Sequence, residues 1–337
     1  MTGTRGAHLR AEIIEQPDRW MTLAAAGREA LGEAAGFLRG ARPELIVLIA
    51  RGSSDHAAQY AQYLAHNLLG IPCLLATPAS ITAYDAALRW PRSIGIAISQ
   101  SGESPDLLAT VSALQGAGVR VIGLTNDELS GLAGLADLHV PLLAGRERSV
   151  AATKTYTCEV LALHAIIALA AGLARETLED RVAAVSEQAA RVLADELDGP
   201  GLLGSFESHD RVMVVGRGYG MATAREGALK LMETSSIAAS GWSSSDATHG
   251  PLGQVRPGMP VVGLLSDPAT APSVSSFLVA ADALGADVRR VEIPTADHAL
   301  TPLLDILPLQ TAALRTSVAK GLDPDEPAGL AKVTRTL

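Results

Sequence analysis

Aromatic side chains are scarce: Phe, Trp and Tyr together make up 3% of the 337 residues. The interior must therefore be built from Ala, Leu, Val and Ile, a composition that suits helices packed on a parallel sheet. Cysteine is nearly absent as well. Cys73 and Cys158 are the only two. They stand in apolar stretches without C-x-x-C spacing, which predicts buried free thiols in a reducing compartment rather than a disulfide framework. There is no basic excess either, the formal net charge being −9. That balance argues against a nucleic-acid or anionic-membrane partner. It does not exclude a small anion held in a local cradle of N–H and O–H donors. Long apolar runs are also lacking. The stretch Leu161–Leu173 is interrupted by His164 and is too short to span a bilayer. The first ten residues have no apolar core of the signal-peptide kind. None of the histidines pairs with Cys or carboxylates at metal spacing, so no metal is expected. The expectation is a cytoplasmic protein.

What is present is a globular chain, with 48% hydrophobic and 19% charged residues. Short apolar runs alternate with helical patterns. Strands are predicted at 44–50, 73–76, 93–98, 119–125 and 138–142, with helices at 55–69, 104–117 and 150–171. A helical connector at 175–197 closes at Gly199-Pro200-Gly201. Strands follow at 211–215, 261–265 and 287–292, with helices at 223–233, 273–284 and 309–320. This β-α alternation predicts parallel sheets covered on both faces. A strand ending in Arg-Gly and turning into an Ala-rich helix occurs at Arg51-Gly52 and again at Arg217-Gly218, as a duplicated domain would give. The boundaries read as a helical segment (1–40), a first domain (41–173), a connector (174–200), a second domain (201–320) and a tail (321–337).

The chemistry concentrates in a few segments. In Ser99-Gln100-Ser101-Gly102-Glu103-Ser104, hydroxyls, an amide and a flexible Gly converge between a strand and a helix N-terminus, where unpaired N–H groups favour phosphate. The plainer reading is a helix cap by Ser101 or Ser104. A second polar turn, Arg51-Gly52-Ser53-Ser54-Asp55, follows the first strand at the carboxyl edge, where open parallel sheets bind ligands. Glu226, Lys230 and Glu233 share one helix face. They read either as a solvated Glu–Lys face or as a carboxylate base beside an ammonium, suited to moving a proton next to a carbonyl. His249-Gly250-Pro251 holds a histidine outside any helix face, where it could shuttle a proton.

These motifs, in order, resemble the isomerase half of glutamine–fructose-6-phosphate aminotransferase and the glucosamine-6-phosphate deaminases of the sugar isomerase (SIS) type. The resemblance starts at Glu12-Ile13-Ile14-Glu15-Gln16-Pro17. It runs through RGSSDHA, ISQSGESPD, ERSVAATKTYT, GRGYG, EGALKLME and HGPL to DPDEPAGLAKVT, whose close is nearer the deaminase branch. It implies an α/β fold of two tandem SIS domains, each a mostly parallel sheet flanked by helices. It also implies that Ser99, Gln100, Ser101 and Ser104 hold a sugar phosphate, with Ser53, Ser54, Val150 and Ala152 lining the sugar. Glu233 would move a proton between C1 and C2, supported by Lys230 and Glu226. His249 would assist ring opening from a neighbouring subunit, in a homodimer with composite sites. Lys332 would sit in a tail that closes over the substrate. No cofactor is implied, because the substrate carbonyl is the electron sink. Ser240, Asp246, Thr248 and Ala152 depart from the family pattern, which bears on the reaction outcome. The glutaminase half has no counterpart here, so the expected reaction is conversion of glucosamine 6-phosphate to fructose 6-phosphate and ammonia. The alternatives are an isomerase or dehydratase on a related (N-acetyl)hexosamine 6-phosphate, or a sugar-phosphate sensor.

Overall fold

The computed structural model describes residues 5–332. Two compact units emerge, and they are not simply consecutive. One holds residues 18–146 and 154–183; the other holds residues 5–17, 147–153 and 184–332.

The first unit is built on strands β1 (Leu45–Ile49), β2 (Cys73–Leu75), β3 (Ser93–Ser99), β4 (Arg120–Thr125) and β5 (Leu138–Pro141). Their order is β2-β1-β3-β4-β5 and every pairing is parallel. The strands are near-continuous apolar runs because helices cover the sheet. Val47, Ile49, Ala97 and Val121 share a core cluster with Leu107, Val111 and Leu114 of the Pro105–Gly116 helix. Helix Lys154–Ala170 is buried along its whole length. It starts four residues later than its sequence pattern suggests, because residues 147–153 form a separate loop in the other unit. Helix Ser53–Leu69 is tied to it by the Ser54 hydroxyl donating to Glu159 (2.8 Å) and by a Tyr60–His164 hydrogen bond (3.0 Å).

The second unit carries β6 (Arg211–Gly216), β7 (Ala238–Ser243), β8 (Pro260–Leu264) and β9 (Asp287–Val291), again all parallel, in the order β7-β6-β8-β9. Strand β7, Ala-Ala-Ser-Gly-Trp-Ser, was not expected: it lacks the β-branched run that marks a strand. Its small residues answer a packing need, since a side chain on Gly241 would collide with the backbone of Ala224 and Arg225. Helix Thr301–Ala319 begins well before the expected position 309, with Pro302 in its first turn and Pro308 inside it. Pro308 removes a helical N–H donor, yet tertiary contacts keep the helix continuous. Gly227 lets the Tyr219–Ser235 helix close on it, a Cβ there meeting Leu309 Cβ at 3.0 Å.

Among the described residues, no helix is long and apolar enough to cross a membrane. Cys158 is buried and Cys73 half-buried, and neither is in a disulfide. Burial pushes the Cys73 thiol up to about 12, so it stays protonated and inert.

Candidate active site

In the first unit the polar turn sits at the carboxyl end of β3. Gly102 adopts φ 65°, a left-handed conformation that glycine tolerates. A Cβ there would also run into Ser130 and Thr125. The Ser99 hydroxyl accepts the Gly102 N–H (3.1 Å) and the Ser101 hydroxyl accepts the Glu103 N–H (3.4 Å). Each hydroxyl is thus oriented as an acceptor and keeps its own hydrogen to donate. The Gln100 carbonyl accepts the Asn126 N–H (3.1 Å), which pins the turn to the loop after β4. The helix-cap reading does not hold for Ser104. It occupies the N-cap position of the Pro105–Gly116 helix without a side-chain cap, and its hydroxyl donates to Asp106 instead (2.9 Å). The Asp106 carboxylate is buried and takes an ion pair from Arg51 (2.7 Å), whose guanidinium is half exposed. Arg51 is therefore drawn from the second polar turn to the cradle turn, a link the sequence reading did not make. Ser54 and Ser53 differ in setting. Ser54 is buried with its hydroxyl held by Glu159, whereas Ser53 remains half-buried at the start of its helix.

In the second unit, Glu226, Lys230 and Glu233 do not form a solvated face. Glu226 and Lys230 are buried, and the Lys230 ammonium lies 3.3 Å from Glu226 and 2.6 Å from Glu233. Burial pulls the Lys230 pKa down, but the two carboxylates outweigh it and hold the group above the ordinary lysine range. Lys230 is a fixed positive charge. Glu233 is the member that reaches outward, with 23% of its side chain exposed. It lines a cavity of about 620 Å³ together with Arg5, Met232, Asp323, Glu326 and Leu330.

Lys332 donates to Glu147 (2.9 Å) and to the Ser149 carbonyl (2.8 Å). Glu147 also accepts the Thr153 N–H (2.8 Å), so it ties the tail to the loop that carries Val150 and Ala152. The Val150 N–H donates to the Asp325 carbonyl (3.1 Å), and Ala152 is half-buried. His249 ends a short helix, Ser244–Thr248, and is exposed. Of the positions that depart from the family pattern, Ser240 lies on β7 opposite Met213, Asp246 is exposed, and the Thr248 hydroxyl donates to the Ser244 carbonyl (2.9 Å). Sequence reasoning missed Glu12, Glu147, Asp106 and Asp325. Each is an acidic residue inside a motif, and that was the available signal. No group of three or more metal-ligating side chains lies together among the described residues. Val333 and Thr334 of the LAKVT motif lie outside the described residues.

Two all-parallel sheets flanked by helices, the first with a polar turn at the carboxyl end of its third strand, make a two-unit α/β protein. The SIS domain model matches residues 41–169 and 205–303, and the chain belongs to the SIS domain family. It is 31% identical over 360 aligned positions to a glutamine–fructose-6-phosphate aminotransferase (isomerizing) of Pyrobaculum aerophilum, covering 95% of this chain and 56% of that protein. The chain thus spans about half the length of that relative. A crystal structure of a protein assigned as a phosphosugar isomerase, from Silicibacter pomeroyi, superposes with a TM-score of 0.87 at 32% identity, covering 94% of this chain and 99% of that one. A glucosamine-6-phosphate deaminase from Thermotoga maritima shares the fold, with a TM-score of 0.76 at 21% identity over 93% of this chain and 100% of that one.

Proposed function

We propose that this chain is an enzyme acting on an amino-sugar 6-phosphate, converting glucosamine 6-phosphate to fructose 6-phosphate and ammonia. The observation that carries the reading is the buried ion cluster. Burying carboxylates and an ammonium is costly unless they are paired, and here one of the two carboxylates, Glu233, opens onto a cavity. A carboxylate fixed by a permanent cation and facing a cavity is suited to act as a base.

In the proposed sequence the phosphate is held by hydroxyl and amide donors of Ser99, Gln100, Ser101 and Ser104. His249 assists opening of the pyranose ring, which exposes the C1 aldehyde and makes the C2 proton acidic. Glu233 takes that proton from C2 and returns it to C1, giving a ketimine at C2. Water adds to the ketimine carbon, and the nitrogen leaves as ammonia. The exposure of His249 supports its donation to a neighbouring subunit, and with it a homodimer. Lys332 would engage the substrate from the tail, with Val150 and Ala152 alongside.

The test is mass spectrometry of products from hexosamine 6-phosphates with and without an N-acetyl group. Fructose 6-phosphate and ammonia from the free amine are expected. Release of water from the acetylated sugar would point to a dehydratase, and binding without turnover of any member would point to a sensor.

A further inference from the structure

The reaction proposed above makes no use of the Glu-Ile-Ile-Glu-Gln-Pro segment near the start of the chain. Its first residue, Glu12, sits in helix Ala7–Ile14 and is only 3% exposed. Its carboxylate accepts the backbone N–H of Arg148, the N–H of Ser149 (3.3 Å) and the hydroxyl of Ser149 (2.6 Å). The carbonyl of the same Ser149 accepts the Lys332 ammonium, and Glu147, one residue before Arg148, is the other acceptor for that ammonium. The amino end of the helix makes a second link. The Asp325 carboxylate accepts the N–H groups of His8 (3.0 Å) and Leu9 (2.7 Å), while its carbonyl takes the Val150 N–H. One short helix therefore grips both the loop 147–153 and the segment that leads to Lys332.

The physical consequence follows from burial. A carboxylate taken out of water needs its donors. Moving residues 148–149 away from Glu12 would leave that charge without the donors they supply. The loop is thereby confined to the geometry in which the Ser149 carbonyl and Glu147 receive the lysine.

We propose that Glu12 is a positioning residue that fixes loop 147–153 and so sets where Lys332 presents its amine. The consequence for catalysis rests on the function proposed above; the positioning itself does not.

Two readouts separate these. The first needs no substrate: acylation of Lys332 in the full chain, followed by peptide mass spectrometry, with hydrogen exchange over 147–153 and 323–332. In Glu12→Gln, which places an amide donor against N–H donors, Lys332 should react about tenfold faster and both segments should lose protection. Glu12→Asp should fall between, and Ser149→Ala should give a smaller loss, so the series remains informative if one variant folds poorly. Gln16→Met is the control. Its side chain donates to Gln310 (2.8 Å) and to the Ile13 carbonyl (3.0 Å), so its loss should lower stability without changing Lys332 reactivity.

The second readout is proton exchange at C2 of the sugar phosphate. Glu12→Gln should lower its kcat roughly 10- to 100-fold through misplacement of the amine, with partial rescue in Glu12→Asp. Unchanged Lys332 reactivity in Glu12→Gln, or an equal rise in Gln16→Met, overturns the proposal. If the wild type exchanges no proton with any hexosamine 6-phosphate, the proposed reaction fails, and the acylation ratios still decide the role of Glu12.

Discussion

The two sheet units share a frame and differ at the carboxyl edges of their sheets. In each, Arg-Gly follows the first strand, and the glycine launches a 17-residue helix from nearly the same unusual backbone, φ 57° and ψ −129° at Gly52 against φ 58° and ψ −126° at Gly218. The strand orders correspond, with β7-β6-β8-β9 repeating β2-β1-β3-β4. The turn after the third strand does not correspond. In the first unit it is Ser99-Gln100-Ser101-Gly102, with hydroxyls arranged around an open helix start. In the second it is Leu265-Ser266-Asp267-Pro268. There the Asp267 carboxylate accepts the Ala269 N–H (3.0 Å) and the Thr270 hydroxyl (3.2 Å), so the protein supplies the anion itself. The helices after the first turns diverge in the same sense. One buries Tyr60 and Leu64, while the other buries Glu226 and Lys230. Under the proposed function, the repeated frame offers donors for an anion in one unit and carboxylates for proton transfer in the other.

The largest expected effect tests that division directly. Glu233→Gln keeps the shape and removes the proposed base, and should slow C2-proton exchange by ~10²–10⁴-fold. Deuterium incorporation from heavy water measures it. Exchange at the wild-type rate would move the base to another carboxylate, Glu226 first.

Asp305 probes the second unit's closed edge. It is buried, accepts a hydrogen bond from Ser266 and lies near Asp267. Burial raises its pKa from 3.8 to about 8, opposed by the Ser266 hydrogen bond and reinforced by Asp267. Because the folded pKa is the higher one, the associated stability is complete below pH 3.8 and is lost as pH rises to about 8. Asp305→Asn stays neutral at every pH. It should stabilise the protein by about 2–4 kcal/mol at pH 8 and flatten the dependence between pH 5 and 8. Denaturant midpoints across that range read the result, and a parallel shift at all pH values would contradict it.

In the first unit, Ser99→Ala combined with Ser101→Ala should raise the apparent KM for the sugar phosphate, each lost charge-assisted hydrogen bond being worth about 1.5–3 kcal/mol. A double variant with unchanged KM would move the phosphate elsewhere. The smallest effect is expected at Asp267→Ala, which removes the second unit's internal anion and should cost about 1 kcal/mol of stability. It should leave KM unchanged, whereas a changed KM would mean that the second edge also handles substrate.

Most strands and the polar turn after β3 were legible because their signals are local. An apolar run followed by Ser, Gln and Gly dictates its own turn, and residues 93–104 needed no distant partner to be read. The family was legible for a related reason, since its motifs are short and ordered along the chain. What the sequence left open depended on partners far away in the chain. Glu226, Lys230 and Glu233 show the same spacing whether solvated or buried, and only the packing of helix Thr301–Ala319 against theirs decides between a weak surface pair and a fixed ion cluster. Strand β7 has little strand propensity of its own and exists because β6 pairs with it along six residues. Ser54 looked like its neighbour Ser53 until Glu159, 105 residues away, claimed its hydroxyl. Glu12 and Lys332 became connected only through the folded loop 147–153, which bonds to both. Local backbone chemistry is written in adjacent residues, whereas the burial of a charge depends on which distant surface covers it, and that is decided by the tertiary fold.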